Sequence, residues 1–299
     1  MRFIFIFILI ISTLTSCLQD DKAYAQNKSK DFTTYLNDVS SVKLPKKLML
    51  FGENIPLERE DIKERAEREF YLLLQQPGQI MLYLKRSGKY FPTYEKHIKE
   101  MGMPSDIKYL SVAESALYMS TSSAGASGLW QFMAATGKSY GLLINKNIDE
   151  RRHVEKSTIA SFKYLTMLNK RFGSWISAAA AYNMGENGLD NNKLFQKSND
   201  YFDLYLNSET SRYIFRIALI KEIMENKEKY GFLLDKNDYW KEDKFQIVKE
   251  SRSIVNLAEW AESYNTNYQS VKLLNPWILG RDLPHPPKGK HYEIAIPVK

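Results

Sequence analysis

Glu114 sits where a carboxylate is out of place. The residues around it, Ile107, Leu110, Val112, Ala113 and Ala116, are apolar and spaced as on a helix. Burial disfavours the charged form of a carboxyl and raises its pKa. A carboxyl that keeps its proton near neutrality can act as a general acid and, once ionised, as a general base. Three further pieces could serve such an acid. In Ser122–Met133 (SSAGASGLWQFM), small residues and glycines precede Leu-Trp-Gln-Phe. Gly125 and Gly128 permit close backbone approach, and Gln131 carries both an amide donor and an acceptor. Asp149-Glu150-Arg151-Arg152, with Glu155, Ser157 and Thr158 behind it, is a charged helix start with Ser or Asp as its cap. Ala181-Tyr182-Asn183-Met184-Gly185 closes an Ala-rich stretch with a phenol and an amide. Each piece alone also has a plainer reading: a surface carboxylate, a tight turn, a capped helix, a core tyrosine.

Helices must position these groups. From Glu58 to Leu84 apolar residues recur at three- and four-residue steps, interrupted at Pro77-Gly78. A second helix is expected over Lys89–Met101, ending near Gly102, and a third from Pro104 to Ala116. Glu155–Phe172 presents Ile159, Phe162, Leu165 and Leu168 on one face. Trp175–Met184 is compact and rich in Ala, so it can lie deep against its neighbours, and Arg212–Glu228 is a further helix. No strand pattern competes between residues 58 and 230, which predicts a nearly all-α main domain. Beyond about Asp238 the pattern changes. Lys244–Val248 and His291–Pro297 alternate like strands, flanking short helices at Ile254–Tyr264 and Tyr268–Leu274.

The N-terminus is of another kind. Met1-Arg2 is followed by an unbroken apolar run, Phe3–Ile11, and then by Ser12-Thr13-Leu14-Thr15-Ser16-Cys17. A basic start, a short apolar run and small residues form an export signal. The run falls short of the roughly 20 residues that a transmembrane helix needs. Cys17 is the only cysteine of the chain, and Leu14–Cys17 resembles a bacterial lipobox. The expectation is lipidation at Cys17, which leaves no thiol for catalysis or metal ligation. The polar stretch that follows reads as a flexible tether over residues 18–45. A net charge of +7 in 299 residues, scattered without a basic stripe and preceded by an export signal, argues against nucleic acid as a partner.

Read in order, the pieces are more specific than any one of them. Glu114-Ser115, Gly128–Met133, Thr136-Gly-x-x-Tyr140-Gly-Leu142, Asp149–Arg152, Ala181-Tyr182-Asn183 and Glu209-Thr210-x-x-Tyr213 together resemble the lytic transglycosylases of goose-lysozyme-like fold. Ser253–Pro297, with Leu257-Ala258, Leu274-Asn275-Pro276 and a closing Ile296-Pro297, resembles the LysM-like segments found beside that domain, without the Gly-Asp usual near their start. The resemblance implies a mainly α chain: a lysozyme-like catalytic domain over residues 46–237 (motif core 104–234) and a small α+β LysM-like module over 238–299. It implies cleavage of the MurNAc–GlcNAc β-1,4 bond of peptidoglycan to 1,6-anhydromuramic acid ends, with Glu114 as sole acid and base. Ser115, Ser123, Gln131, Tyr182, Asn183, Glu209 and Tyr213 are the implied substrate-binding residues, with Tyr182 beside Glu114. No metal or cofactor is implied. The expected partners are glycan strands and a membrane lipid, for a monomer held in the cell envelope at the periplasmic face of an outer membrane. The pattern departs from the family in one place: Tyr118-Met119 stands where Asn-Pro or Asp-Pro is usual, and the loop Leu117–Ser123 is one residue shorter, so its path should be its own. Two other functions fit the same residues. A hydrolytic muramidase would need a second carboxylate at about 6.5–9.5 Å, for which Asp149, Glu150 and Glu186 are candidates. An inactive cell-wall-binding lipoprotein would have no use for Glu114.

Overall fold

The computed structural model describes residues 41–298. Cys17, the export signal and most of the tether lie outside the described residues. From Lys46 onward the described residues form one compact unit. Among the described residues no helix is long and apolar enough to cross a membrane.

A short hairpin, β1 (Met49–Leu50) and β2 (Glu53–Asn54), precedes eight α-helices. Helix α1 (Glu60–Leu74) buries Ile62, Ala66, Phe70, Leu73 and Leu74. The interruption expected at Pro77-Gly78 falls two residues earlier, at Gln75-Gln76. Pro77 instead opens α2 (Pro77–Met101), a single helix of 25 residues in place of the two shorter ones expected. A proline in the first turn has no helical hydrogen bond to lose, so it starts a helix as readily as it ends one. Pro92 lies inside α2, and Gly102 closes it in the left-handed conformation at φ 62°.

Helix α3 (Ile107–Ser115) carries Glu114 in its last turn. After the short α4 (Ala134–Ser139) and a 3-10 turn at Glu150–Arg152 come α5 (Val154–Phe172), α6 (Trp175–Met184) and α7 (Glu186–Gln196). Helix α8 (Ser208–Glu225) begins four residues before the expected Arg212, because the Asn207 side chain caps it by accepting from the Glu209 and Thr210 N–H groups. Ser174 caps α6 in the same way. The four alanines 178–181 are completely buried, and α6 packs on α5, α7 and α8 while α8 also packs on α1 and α3. Small side chains let these helices close around α6, as its composition predicted.

The last segment runs strand, helix, helix, strand: β3 (Phe245–Glu250), α9 (Leu257–Ser263), α10 (Tyr268–Leu274) and β4 (Tyr292–Pro297). The strands pair antiparallel from Phe245↔Pro297 to Glu250↔Tyr292. The buried Asn275 side chain donates to Ala295 O and accepts from Ala295 N, at 2.7 and 2.8 Å, and so holds the outer edge of β4. The core here, including Ile254, Leu257, Val271, Trp277, Ile278 and Ile294, also takes in Ile148 from the loop before α5. That loop is bonded to the segment through Asp149 N–Trp277 O at 2.8 Å and Leu279 N–Asn147 O at 2.7 Å, and the His153 ring stacks on Trp277. The C-terminal segment therefore shares its core with the helical part.

Candidate active site

The site grows from the end of α3. Ala116 and Leu117 both take left-handed backbone angles, φ 56° and 54°, which ends the helix just after Glu114 and turns the chain away. The Glu114 carboxyl is thus left at the negative end of a helix, on the side facing α8. Its surroundings hold its pKa at about 7 against the usual 4.5. Desolvation is the main cause. The nearby Glu209 carboxylate raises it further, while a hydrogen bond from Tyr213 and the charge of Arg216 pull it down. The negative helix end acts in the same sense as burial.

Helix α8 supplies the facing groups. Glu209, Tyr213 and Arg216 are spaced four and three residues apart and share one face. The Tyr213 hydroxyl donates directly to Glu114 Oε1. Its own ionisation is pushed well up by burial and by Glu114, so it serves as a neutral donor. Glu209 Oε1 accepts from Asn183 Nδ2 at 3.0 Å, and Asn183 Oδ1 accepts from Thr210 at 2.8 Å. The Asn183 amide at the end of α6 is thereby fixed in orientation. Tyr182, one residue earlier, donates to Trp130 O at 2.7 Å and accepts from Ser161. It lies close enough to Glu114 to feel its charge, but the phenol bonded to the acid is Tyr213.

The glycine-rich loop is held in place from behind. Trp130 is fully buried, donates to Thr158 Oγ1 at 2.9 Å and packs on Tyr94 and Phe162. Gly128, at φ 83°, lies so close to the Arg151 carbonyl that a Cβ would stand 1.9 Å from its oxygen. The close approach anticipated for this glycine is thus to the protein's own chain. Arg151 donates to Gly125 O and Phe132 O and pairs with Asp149, all within the interior. Ser115 Oγ lies 2.8 Å from Leu129 O and 3.1 Å from Ser111 O, bracing α3 against the loop. Gln131 has left-handed angles (φ 47°) and donates to Gly128 O at 2.8 Å. Its Oε1 accepts no hydrogen bond among the described residues. Ser123 is exposed at the loop's outer turn.

Glu114, Tyr182, Asn183, Glu209 and Tyr213 are therefore gathered by hydrogen bonds or charge. Ser115 and Gln131 line the loop beside them, and Ser123 stands apart at its tip. The three carboxylates considered for a hydrolytic partner are committed elsewhere. Asp149 is bonded to Arg151, Glu150 to Lys156 and the Leu143 N–H, and Glu186 to the Tyr164 hydroxyl, which holds Glu186 below the usual carboxylate range. The carboxylate that acts on Glu114 is Glu209. Arg216 belongs to no motif of the sequence, but its position seven residues after Glu209 and three after Tyr213 puts it on the same helix face.

Residues 92–204 match the family described as transglycosylase SLT domain, and residues 246–299 the soluble lytic transglycosylase C-terminal LysM-like domain. The chain is 29% identical over 278 residues to membrane-bound lytic murein transglycosylase D of Escherichia coli (strain K12), covering 89% of this chain and 60% of that relative. It thus spans less than two thirds of the relative's length. A solved structure of an inactive mutant of the lytic transglycosylase Slt from Pseudomonas aeruginosa aligns at 18% identity and a TM-score of 0.37, over 52% of this chain and 27% of that one.

Proposed function

We propose, for a chain that carries a transglycosylase SLT domain and a LysM-like C-terminal domain, that it is a lytic transglycosylase acting on peptidoglycan. The observation that supports this most is the Glu114 carboxyl, which holds its proton up to about pH 7 and has a neutral phenol as its direct partner. In this reading the protonated Glu114 gives its proton to the oxygen leaving MurNAc, and the C1–O bond breaks. The 2-acetamido group of the same sugar stabilises the cation at C1. The ionised Glu114 then takes the proton of the C6 hydroxyl, whose oxygen bonds to C1 to give a 1,6-anhydro end. One group serves both steps and is returned protonated. Tyr213 steadies the ionised form by donating to it. Gln131 and Asn183 hold the sugar amides, Tyr182 positions the sugar, and Ser115, Ser123 and Glu209 complete the substrate-binding set.

The proposed organisation is an export signal ending in a lipidated Cys17, a tether over 18–45, a catalytic domain over 46–237 and a module over 238–299. The E. coli relative is named as membrane-bound, and a lipid at Cys17 would place this chain in the envelope, at the periplasmic face of an outer membrane, as a monomer. Hydrolysis is the second reading, because Glu209 is a carboxylate within electrostatic reach of Glu114. Mass spectrometry of digested peptidoglycan separates the two. Lytic transglycosylation leaves 1,6-anhydromuramic acid ends; ordinary reducing ends would reject the proposal in favour of the muramidase, and absence of any cleavage would favour the inactive binder.

A further inference from the structure

We propose that Tyr118 and Trp240, arranged around the Arg86 guanidinium, form a sugar-stacking platform that holds the glycan strand beyond the bond cut at Glu114. The inference rests on the transglycosylase reading for the identity of the ligand. It starts from two large aromatic side chains left open to water, Tyr118 at 59% and Trp240 at 47% of their surface. Single exposed aromatics are ordinary, but these two meet on one cation. The Arg86 guanidinium carbon is 5.1 Å from the Tyr118 ring centre and 6.0 Å from that of Trp240.

The backbone beneath each ring is anchored independently of the ring. Arg86 Nη1 donates to Ala116 O at 2.9 Å, which clamps α2 to the turn that ends the Glu114 helix. Leu117, at 1% exposure, fixes the next residue in the core and leaves Tyr118 facing outward. On the other side the segment leading to β3 lies flush on α2. Trp240 N donates to Lys85 O at 2.9 Å, and Asp243 pairs with Lys89 at 2.6 Å. Gly88 makes this contact possible, since a Cβ there would stand 2.6 Å from Trp240 O. Backbone bonds at both ends thus present two aromatic faces and a guanidinium with further N–H donors. Aromatic faces take the C–H faces of a pyranose, and a planar guanidinium meets its hydroxyls or a carboxylate of an attached peptide.

The platform is continuous with the site. Tyr118 follows Glu114 by four residues. Arg86, on which both rings meet, is bonded to Ala116 O, two residues after Glu114, so the platform borders the turn that ends the Glu114 helix. Tyr118 stands where the family pattern has Asn or Asp, so the aromatic ring here is a departure from that pattern. A polymeric substrate needs support on both sides of the scissile bond, and Trp240 lies on the segment that leads into the C-terminal domain.

The test compares the full chain with Tyr118→Ala, Trp240→Ala, the double variant and Trp240→Phe on peptide-free glycan strands of graded length, reading 1,6-anhydro ends. The double variant should lose roughly three- to ten-fold in kcat/KM on long strands, carried by KM. The loss should shrink as the strands shorten, and Trp240→Phe should recover most of it. An equal loss at every length, or a loss in kcat with KM unchanged, would assign these residues a structural role and overturn the proposal, as would no loss at all. Binding of uncut long strands by the Glu114→Gln chain, with and without the two alanines, reads the platform apart from turnover. Weaker binding with the alanines supports it, even if wild-type products proved to be hydrolytic; equal binding overturns it.

Discussion

Two sets of carboxyl groups from the same sequence pattern, the buried pair Asp149–Glu150 and the part-buried Glu114, have opposite fates. Asp149 and Glu150 are each more than nine-tenths buried, and each is met by a cation: Asp149 by both Nε and Nη2 of Arg151, Glu150 by Lys156. Glu114 is met by a phenol. Its nearest charges are an opposing pair, Glu209 and Arg216, neither bonded to it. A buried carboxylate bonded to a cation serves as a strut, here carrying the loop that contains Gly125 and Phe132. A desolvated carboxyl with only a neutral donor keeps its proton until about pH 7 and can transfer it. The choice of partner, more than burial itself, separates framework from chemistry.

The largest test of that contrast removes the proton. Glu114→Gln keeps the shape and a hydrogen-bonding end but can neither give nor take a proton. Cleavage should fall by at least the roughly 10²–10⁴-fold that one acid–base group contributes, measured as product formed from peptidoglycan. Retention of more than a few per cent of activity would move the acid elsewhere. The same variant carries a stability signature. The folded pKa of Glu114 lies above its ordinary value, so its favourable contribution is complete below pH 4.5 and is lost as pH rises through about 7. The Gln variant has no such loss. It should gain on wild type across that window, by up to about 3 kcal/mol at ~1.4 kcal/mol per pKa unit, and then run parallel. Denaturant titrations at pH 4.5 and 8 that give the same difference would contradict the raised pKa.

At the strut, the reverse is expected. Arg151→Met leaves Asp149 buried without its cation and two loop carbonyls without a donor, which should cost about 3–5 kcal/mol of stability. Adding Asp149→Asn should restore part of it. A single variant that melts like wild type would show that the pair carries no structural weight.

The finest tests tune Glu114 without touching it. Its protonated form begins the reaction, so kcat/KM should decline as pH rises through about 7. Tyr213 lowers the pKa of Glu114, and Glu209 raises it. Tyr213→Phe should therefore move the decline to higher pH, and Glu209→Gln should move it to lower pH. Shifts in the same direction for both would mean that these residues act through the fold and not through the charge on Glu114.

Much of this was written along the chain. The helical periods of α3, α5, α6 and α8, the small residues that let α6 sink into the centre, and the strand–helix–helix–strand order of the C-terminal segment are local properties, set by side-chain size and repeat and therefore visible in sequence. So was the unusual carboxyl at 114, because a charged residue on an apolar helix face conflicts with its neighbours. The helix start at Pro77 was misplaced because a proline that opens a helix and one that breaks it look alike until the preceding turn is seen. That the Glu114 carboxyl is bonded to the Tyr213 phenol was not legible. Tyr213 and Glu114 are 99 positions apart, whereas Asp149 finds Arg151 two residues away. Sequence alone determined that acids, phenols and amides would lie on the ends of packed helices. The packing of α8 across the end of α3 decided that the acid at 114 would meet a neutral donor in a desolvated site, because pKa depends on what surrounds a group in space and that is fixed only when distant helices come together.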